Sequence, residues 1–253
     1  LSLSADHIFI TAGSEIAIKT AFEVFVEPGD EVIMSYPSYA MYLVYAKLFQ
    51  AKATKIKYDE NLVLPIAELI DAISEKTKLV VLPNPDSPTG AVIEKEKIIA
   101  LLDKAKVYGT VVLIDEAYYR FYPHSVVDLV DDYPNLIVTR TFSKAYRLAS
   151  ARLGFAVAQP DTIRLIRSFK PMYEANSFAL IFGEAILNND HVVEEKVKEV
   201  NAGKAYLEKE MSGLNLRTYP SHGNFLHINV GEENVTPLKT AMRNANILVR
   251  TGF

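Results

Sequence analysis

Apolar residues follow two rhythms along this chain. Short unbroken runs, such as Leu79-Val80-Val81-Leu82 and Val111-Val112-Leu113-Ile114, alternate with stretches where apolar residues return every three or four positions. An unbroken run of that length reads as a strand buried on both faces. The wider spacing reads as an amphipathic helix, as where Ile18, Ala21, Phe22 and Phe25 line one face. Strands are predicted over 8–11, 31–35, 51–57, 79–82, 111–114, 136–140 and 154–158. Helices are predicted over 14–26, from the Tyr39 turn to 49, over 65–74 with Pro65 at its first position, and over 94–107 and 162–170.

The rhythm changes near residue 190. Helices over 177–188 and 192–211 are followed by two strands expected to be antiparallel, 216–219 and 224–230. A helix over 236–244 and a strand over 247–250 close the chain. Strand–helix alternation implies an α/β fold with a mostly parallel sheet. We expect a large domain over 1–190 and a smaller α+β C-terminal domain over 191–253. The chain opens just before a strand and stops just after one, so both termini are expected to be truncated.

Composition narrows the class. The chain has 253 residues, 49% hydrophobic and 23% charged, which suits a globular protein. A net charge of −4 without a long basic run argues against a nucleic-acid surface. Cysteine is absent, which excludes disulfides and thiolate metal sites and permits a reducing, cytoplasmic setting. No apolar run approaches a membrane span. No dinucleotide fingerprint, phosphate-binding P-loop or nucleophile elbow is present. His222 and His227 are expected on opposite faces of one strand, so no metal site is expected.

What remains is a set of residues at the C-terminal ends of successive strands: Gly13-Ser14, Tyr39, Ser87, Asp115, Tyr118, Ser143-Lys144 and Arg152. Parallel strands bring such ends to one edge. Gly13-Ser14 stands at a strand-to-helix turn, where free N–H groups favour an anion; a plain N-cap by Ser14 fits equally well. Asp115 ends an apolar strand and needs a partner, either a cation in a site or a structural contact. Glu116, pointing the other way, reads as structural. A lysine, an aspartate, tyrosines and a phosphate cradle together suit pyridoxal phosphate.

In that order and spacing these residues resemble the fold-type-I aminotransferases, and most of all the histidinol-phosphate aminotransferase group. The blocks are 11–15, 27–30, 36–42, 84–90, 115–118, 141–144, 152–154 and 223–225. The resemblance implies a three-layer large domain and pyridoxal 5′-phosphate as cofactor. It implies Lys144 as the Schiff-base lysine, Asp115 against the pyridine nitrogen, Tyr118 on the ring oxygen and Tyr39 stacked on the ring. Gly13, Ser14, Thr141, Ser143 and Arg152 would bind the phosphate, with Ser87 near the ring oxygen and Asn224 and Arg250 on the substrate. It also implies a homodimer, a small-molecule amino donor and a keto acceptor.

The loop departs from the family's Asn-Pro-Asn-Asn-Pro-Thr-Gly. Ser87 replaces the asparagine that helps Tyr118, and Asp86 precedes it. A shorter serine leaves room for a decarboxylase of a phosphorylated amino acid on the same fold. A non-catalytic binding module is the third reading, disfavoured by retention of Lys144, Asp115 and Tyr118. Arg147 stands where a small residue is common and is a candidate for added charge near the site.

Overall fold

The computed structural model describes residues 3–169 and 173–252. Its centre is a seven-stranded sheet built from β1 (Ile8–Thr11), β2 (Glu31–Tyr36), β3 (Lys52–Lys57), β4 (Thr77–Pro83), β5 (Val111–Asp115), β6 (Leu136–Thr141) and β7 (Gly154–Val157). Their order is β1-β7-β6-β5-β4-β2-β3. The run from β6 to β3 is parallel throughout, and β7 lies antiparallel to both β6 and β1. The sheet is therefore mostly parallel, as the strand–helix alternation predicts.

Two helical layers cover it because side chains alternate across each strand. Leu113 and Ile137 face α1 (Ser14–Phe25), α2 (Met41–Leu48) and α5 (Pro160–Ser168). Val112, Ile114 and Val138 face α3 (Ile66–Asp71) and α4 (Lys95–Val107). Leu101 and Leu102 of α4 are fully buried. Burying each such side chain contributes about 1.5–3 kcal/mol. The order continues with α6 (Ser177–Leu187), α7 (Asp190–Gly213), β8 (Arg217–Tyr219), β9 (His227–Asn229) and α8 (Glu232–Asn244). β8 and β9 pair antiparallel, apart from the main sheet.

Several boundaries differ from expectation. α5 begins at Pro160, two residues early, because the fixed φ of proline suits a first helical position; the expected end at Lys170 lies outside the described residues. α3 stops at Asp71, where a turn held by Ser74 N–H on Thr77 Oγ1 (3.1 Å) takes over. α8 starts at Glu232, with Glu233 also in its first turn, where acidic side chains favour a helix N-terminus. The expected strand 247–250 is irregular, with Leu248 86% exposed, because no described strand pairs with it. His222 lies in the turn before β9 and not on a strand, so the opposite-face argument for His222 and His227 does not apply.

Candidate active site

The parallel strands end together at Thr11, Tyr36, Pro83, Asp115 and Thr141, and the segments leaving them form one concave edge. Two clusters meet there.

The first is an anion cradle. Gly13 precedes α1 with φ +94°, a conformation side chains disfavour. A Cβ there would lie 2.7 Å from Arg152 Nη2. Gly154 on β7 lets the start of α1 approach so closely that a Cβ would meet Ser14 N at 2.3 Å. Arg152 takes a left-handed conformation (φ +54°) that turns its guanidinium toward this point, with Nη2 3.5 Å from Ala12 O. Thr141 Oγ1 accepts the Ser143 N–H at 3.1 Å. Ser143 Oγ is buried without a hydrogen-bond partner among the described residues. Free N–H groups at a helix start, a half-exposed guanidinium and a buried hydroxyl without a partner make a fitting phosphate site.

The second cluster surrounds Asp115. Its Oδ2 accepts from Tyr42 Oη at 3.0 Å and its Oδ1 from Thr139 Oγ1 at 2.9 Å. Burial pushes its pKa up to about 6, although those two bonds, the Ala117 N–H and the Lys144 charge all pull it down. A buried carboxylate in that balance gains from an adjacent cation, such as a protonated ring nitrogen. Lys144 Nζ lies 5.2 Å from the centre of the Tyr118 ring. Tyr118 is buried and meets Phe225 edge-on at 5.4 Å. Tyr39 meets Tyr42 edge-on at 5.5 Å and stays half-open to solvent. Burial and the charges of Glu15 and Asp115 raise its pKa to about 12, so it keeps its proton. The two clusters are joined, since Tyr39 senses both Asp115 and Arg152.

The edge therefore gathers Gly13, Ser14, Tyr39, Asp115, Tyr118, Thr141, Ser143, Lys144 and Arg152. Ser87 lies on the adjoining loop, which is organised by its neighbour. Asp86, fully buried, accepts from Ser35 Oγ (3.3 Å), Ser38 Oγ (2.9 Å), Thr89 N (3.2 Å) and Thr89 Oγ1 (3.0 Å). Asn224 is exposed beside Phe225, and Arg250 is exposed in the irregular segment after α8. Arg147 is also exposed, and its charge acts on Glu199 of α7. Tyr42, Thr139 and Asp86 were not among the expected site residues. Thr139 could have been found as the residue beside Asp115 in the β5–β6 register, and Tyr42 as a helical tyrosine three positions after Tyr39.

Glu116 points to the opposite face, as expected. There its Oε2 accepts from Arg140 Nε at 2.9 Å, its Oε1 accepts from Val126 N at 2.9 Å, and the Arg140 guanidinium stacks 3.5 Å over the Tyr119 ring. Arg140, Tyr119 and Phe142 line a groove of about 710 Å³ on that face, away from the odd-numbered positions of β6 that carry Thr139 and Thr141.

Known proteins point the same way. The family model described as aminotransferase class I and II matches residues 1–253. Histidinol-phosphate aminotransferase of Caldanaerobacter subterraneus subsp. tengcongensis is 34% identical over 251 residues, covering 98% of this chain and 70% of the relative. The enzyme of that name from Thermoanaerobacter sp. is 36% identical over 222 residues, covering 87% of this chain and 62% of the relative. Among solved structures, histidinol-phosphate aminotransferase from Sinorhizobium meliloti in complex with pyridoxal-5′-phosphate shares the fold. Its TM-score is 0.91 at 23% identity, over 100% of this chain and 71% of that one.

Proposed function

The chain belongs to the class I and II aminotransferase family, and on that premise we propose that it transfers an amino group between an amino acid and a keto acid or phosphorylated ketone. Pyridoxal 5′-phosphate is the cofactor, and L-histidinol phosphate is the amino donor that the named relatives support. The observation that carries the reading is the meeting of the anion cradle and the buried Asp115 at one strand edge, with Lys144 directly after Ser143 of the cradle in sequence and beside Tyr118 in space.

When bound, the cofactor supplies an electron sink that makes the substrate Cα–H acidic. Arg152, Ser143 Oγ, Thr141 and the N–H groups at the start of α1 hold its phosphate. Asp115 holds a proton on the ring nitrogen. Its own carboxylate is kept in place by Tyr42 and Thr139, so charge that develops there meets a group already oriented. Tyr39 covers one ring face, and Tyr118, with Ser87 nearby, serves the ring oxygen. Lys144 Nζ anchors the aldehyde carbon. Once released as a neutral amine, Lys144 Nζ would take the Cα proton of the amino donor and deliver it to the cofactor carbon it had held. Asn224 and Arg250 are proposed on the substrate side. The proposed organisation is a cofactor-binding unit over 1–190, a small unit over 191–253, and a cytoplasmic homodimer. No described helix is long and apolar enough to cross a membrane.

The test uses the full-length protein with pyridoxal phosphate, L-histidinol phosphate and 2-oxoglutarate. Glutamate should form as histidinol phosphate is consumed, with no carbon dioxide. An O-phosphorylated amino acid, which carries the carboxylate that histidinol phosphate lacks, is assayed in parallel; carbon dioxide released from it without a keto product would replace transamination with decarboxylation.

A further inference from the structure

We propose that Lys204, on α7, is a positioning residue that holds the turn 221–223 against the Gly90 end of the Ser87 loop. It thereby fixes where Asn224 and Phe225 stand, with the Phe225 ring against Tyr118. The inference rests on the aminotransferase reading above.

Lys204 Nζ donates to two carbonyls of the same turn, Ser221 O at 2.7 Å and Gly223 O at 2.8 Å. Two acceptors gathered on one ammonium fix the curvature of the backbone between them. The turn is pinned from its other side as well. His222 N–H donates to Gly90 O at 2.9 Å, and Gly223 N–H to Ser221 Oγ at 3.3 Å. Gly90 has φ +77°, and a Cβ there would lie 2.7 Å from Ser221 Cα. The turn therefore seats directly on the loop that carries Ser87.

Phe225, two residues past the turn, extends this hold to the chemistry. A Cβ on Gly223 would come within 2.5 Å of the Phe225 ring, so the ring folds back over the turn. That ring meets Tyr118 edge-on at 5.4 Å, and Lys144 Nζ lies 5.2 Å from the Tyr118 ring centre. A continuous series of contacts thus runs from the Lys204 ammonium through the turn to Phe225, Tyr118 and Lys144. Half-burial lowers the Lys204 pKa, and its charge helps to lower that of His222. The anion cradle and the bonds of Tyr42 and Thr139 to Asp115 lie outside this series, which touches the cofactor side only at its Tyr118–Lys144 end. Release of the turn should therefore displace the substrate side and leave cofactor binding in place.

Steady-state kinetics of the full-length holoenzyme test this with Lys204→Met, which keeps length and removes the donors, and Lys204→Arg, which keeps donors. The probes are L-histidinol phosphate and 2-oxoglutarate. In Lys204→Met the KM for histidinol phosphate should rise about tenfold or more, from loss of charge-assisted hydrogen bonds, with kcat little changed. The pyridoxal phosphate dissociation constant and the lysine-linked absorbance should match wild type, and Lys204→Arg should recover most of the affinity. An unchanged KM in folded Lys204→Met overturns the proposal. So does a KM rise that comes with an equal loss of cofactor affinity. If Lys204→Met does not fold, Gly90→Ala displaces Ser221 from the opposite side and must show the same selective KM rise; an unchanged KM there overturns the proposal too. Failure of the aminotransferase reading is visible separately, as a wild-type protein that forms no lysine-linked absorbance with pyridoxal phosphate.

Discussion

Tyr42 donates its hydroxyl hydrogen to Asp115 Oδ2 at 3.0 Å, from a fully buried position three residues beyond Tyr39. One helix start thus supplies both the ring proposed to stack on the cofactor, Tyr39, and the support for the carboxylate. Tyr42→Phe keeps the ring and removes the bond. Leaving that buried acceptor with one fewer donor should cost about 1–3 kcal/mol of stability. The Asp115 pKa should also rise further, because the lost bond favoured the charged form. Denaturant unfolding and cofactor titration of the variant check both effects.

Asp115 also predicts a pH dependence. Its folded-state pKa, about 6, is raised above the ordinary 3.8 by burial. The folded protein then binds the proton more tightly than the unfolded chain. The resulting stability is fully present below pH 4 and is lost as pH rises through 6. In cofactor-free protein, the stability of wild type relative to Asp115→Asn should fall over that window, by on the order of 3 kcal/mol at most. Chemical denaturation at a series of pH values measures it, and a flat difference would remove the burial argument.

Arg152 gives a test that separates phosphate from ring. Arg152→Ala removes the guanidinium from beside Gly13 and Ala12. Affinity for pyridoxal phosphate should fall about 10- to 100-fold, the worth of a charge-assisted hydrogen bond. Affinity for pyridoxal, which lacks the phosphate, should hardly change. Equal losses for the two ligands would place Arg152 elsewhere in the site.

On the opposite face, Arg140 and Glu116 form a buried pair with side chains 8% and 1% exposed. Glu116→Gln leaves the arginine charge without compensation and should cost about 3–5 kcal/mol. Glu116→Leu combined with Arg140→Met should recover much of that loss, because neither charge is then stranded. Thermal melts of the three proteins decide.

Much of this was legible in the chain. Central strands announced themselves as apolar runs, and Lys144 and Asp115 stood at C-terminal strand ends that parallel topology gathers; Arg152 reaches the same edge at the start of β7 because that strand runs antiparallel. The less legible parts depended on contacts between distant segments. Asp86 reads as a departure from a loop pattern until Ser35 and Ser38, from another strand end, are seen donating to it. Lys204 is one lysine among several on α7, and only the fold brings the carbonyls of Ser221 and Gly223 to it. Residues 247–250 show the reverse error. Their β-branched, apolar character predicts a strand, but a strand also needs a neighbour, and the described residues supply none.

The central claim is that Lys144 carries the cofactor, and it can be read directly. Full-length protein is incubated with pyridoxal phosphate, reduced with borohydride to make the lysine bond permanent, digested and mapped by mass spectrometry. The phosphopyridoxyl mass is predicted on the peptide containing Thr141-Phe142-Ser143-Lys144, and its loss in Lys144→Ala. Stoichiometric label on a different lysine, or the same labelling in Lys144→Ala, would contradict the account.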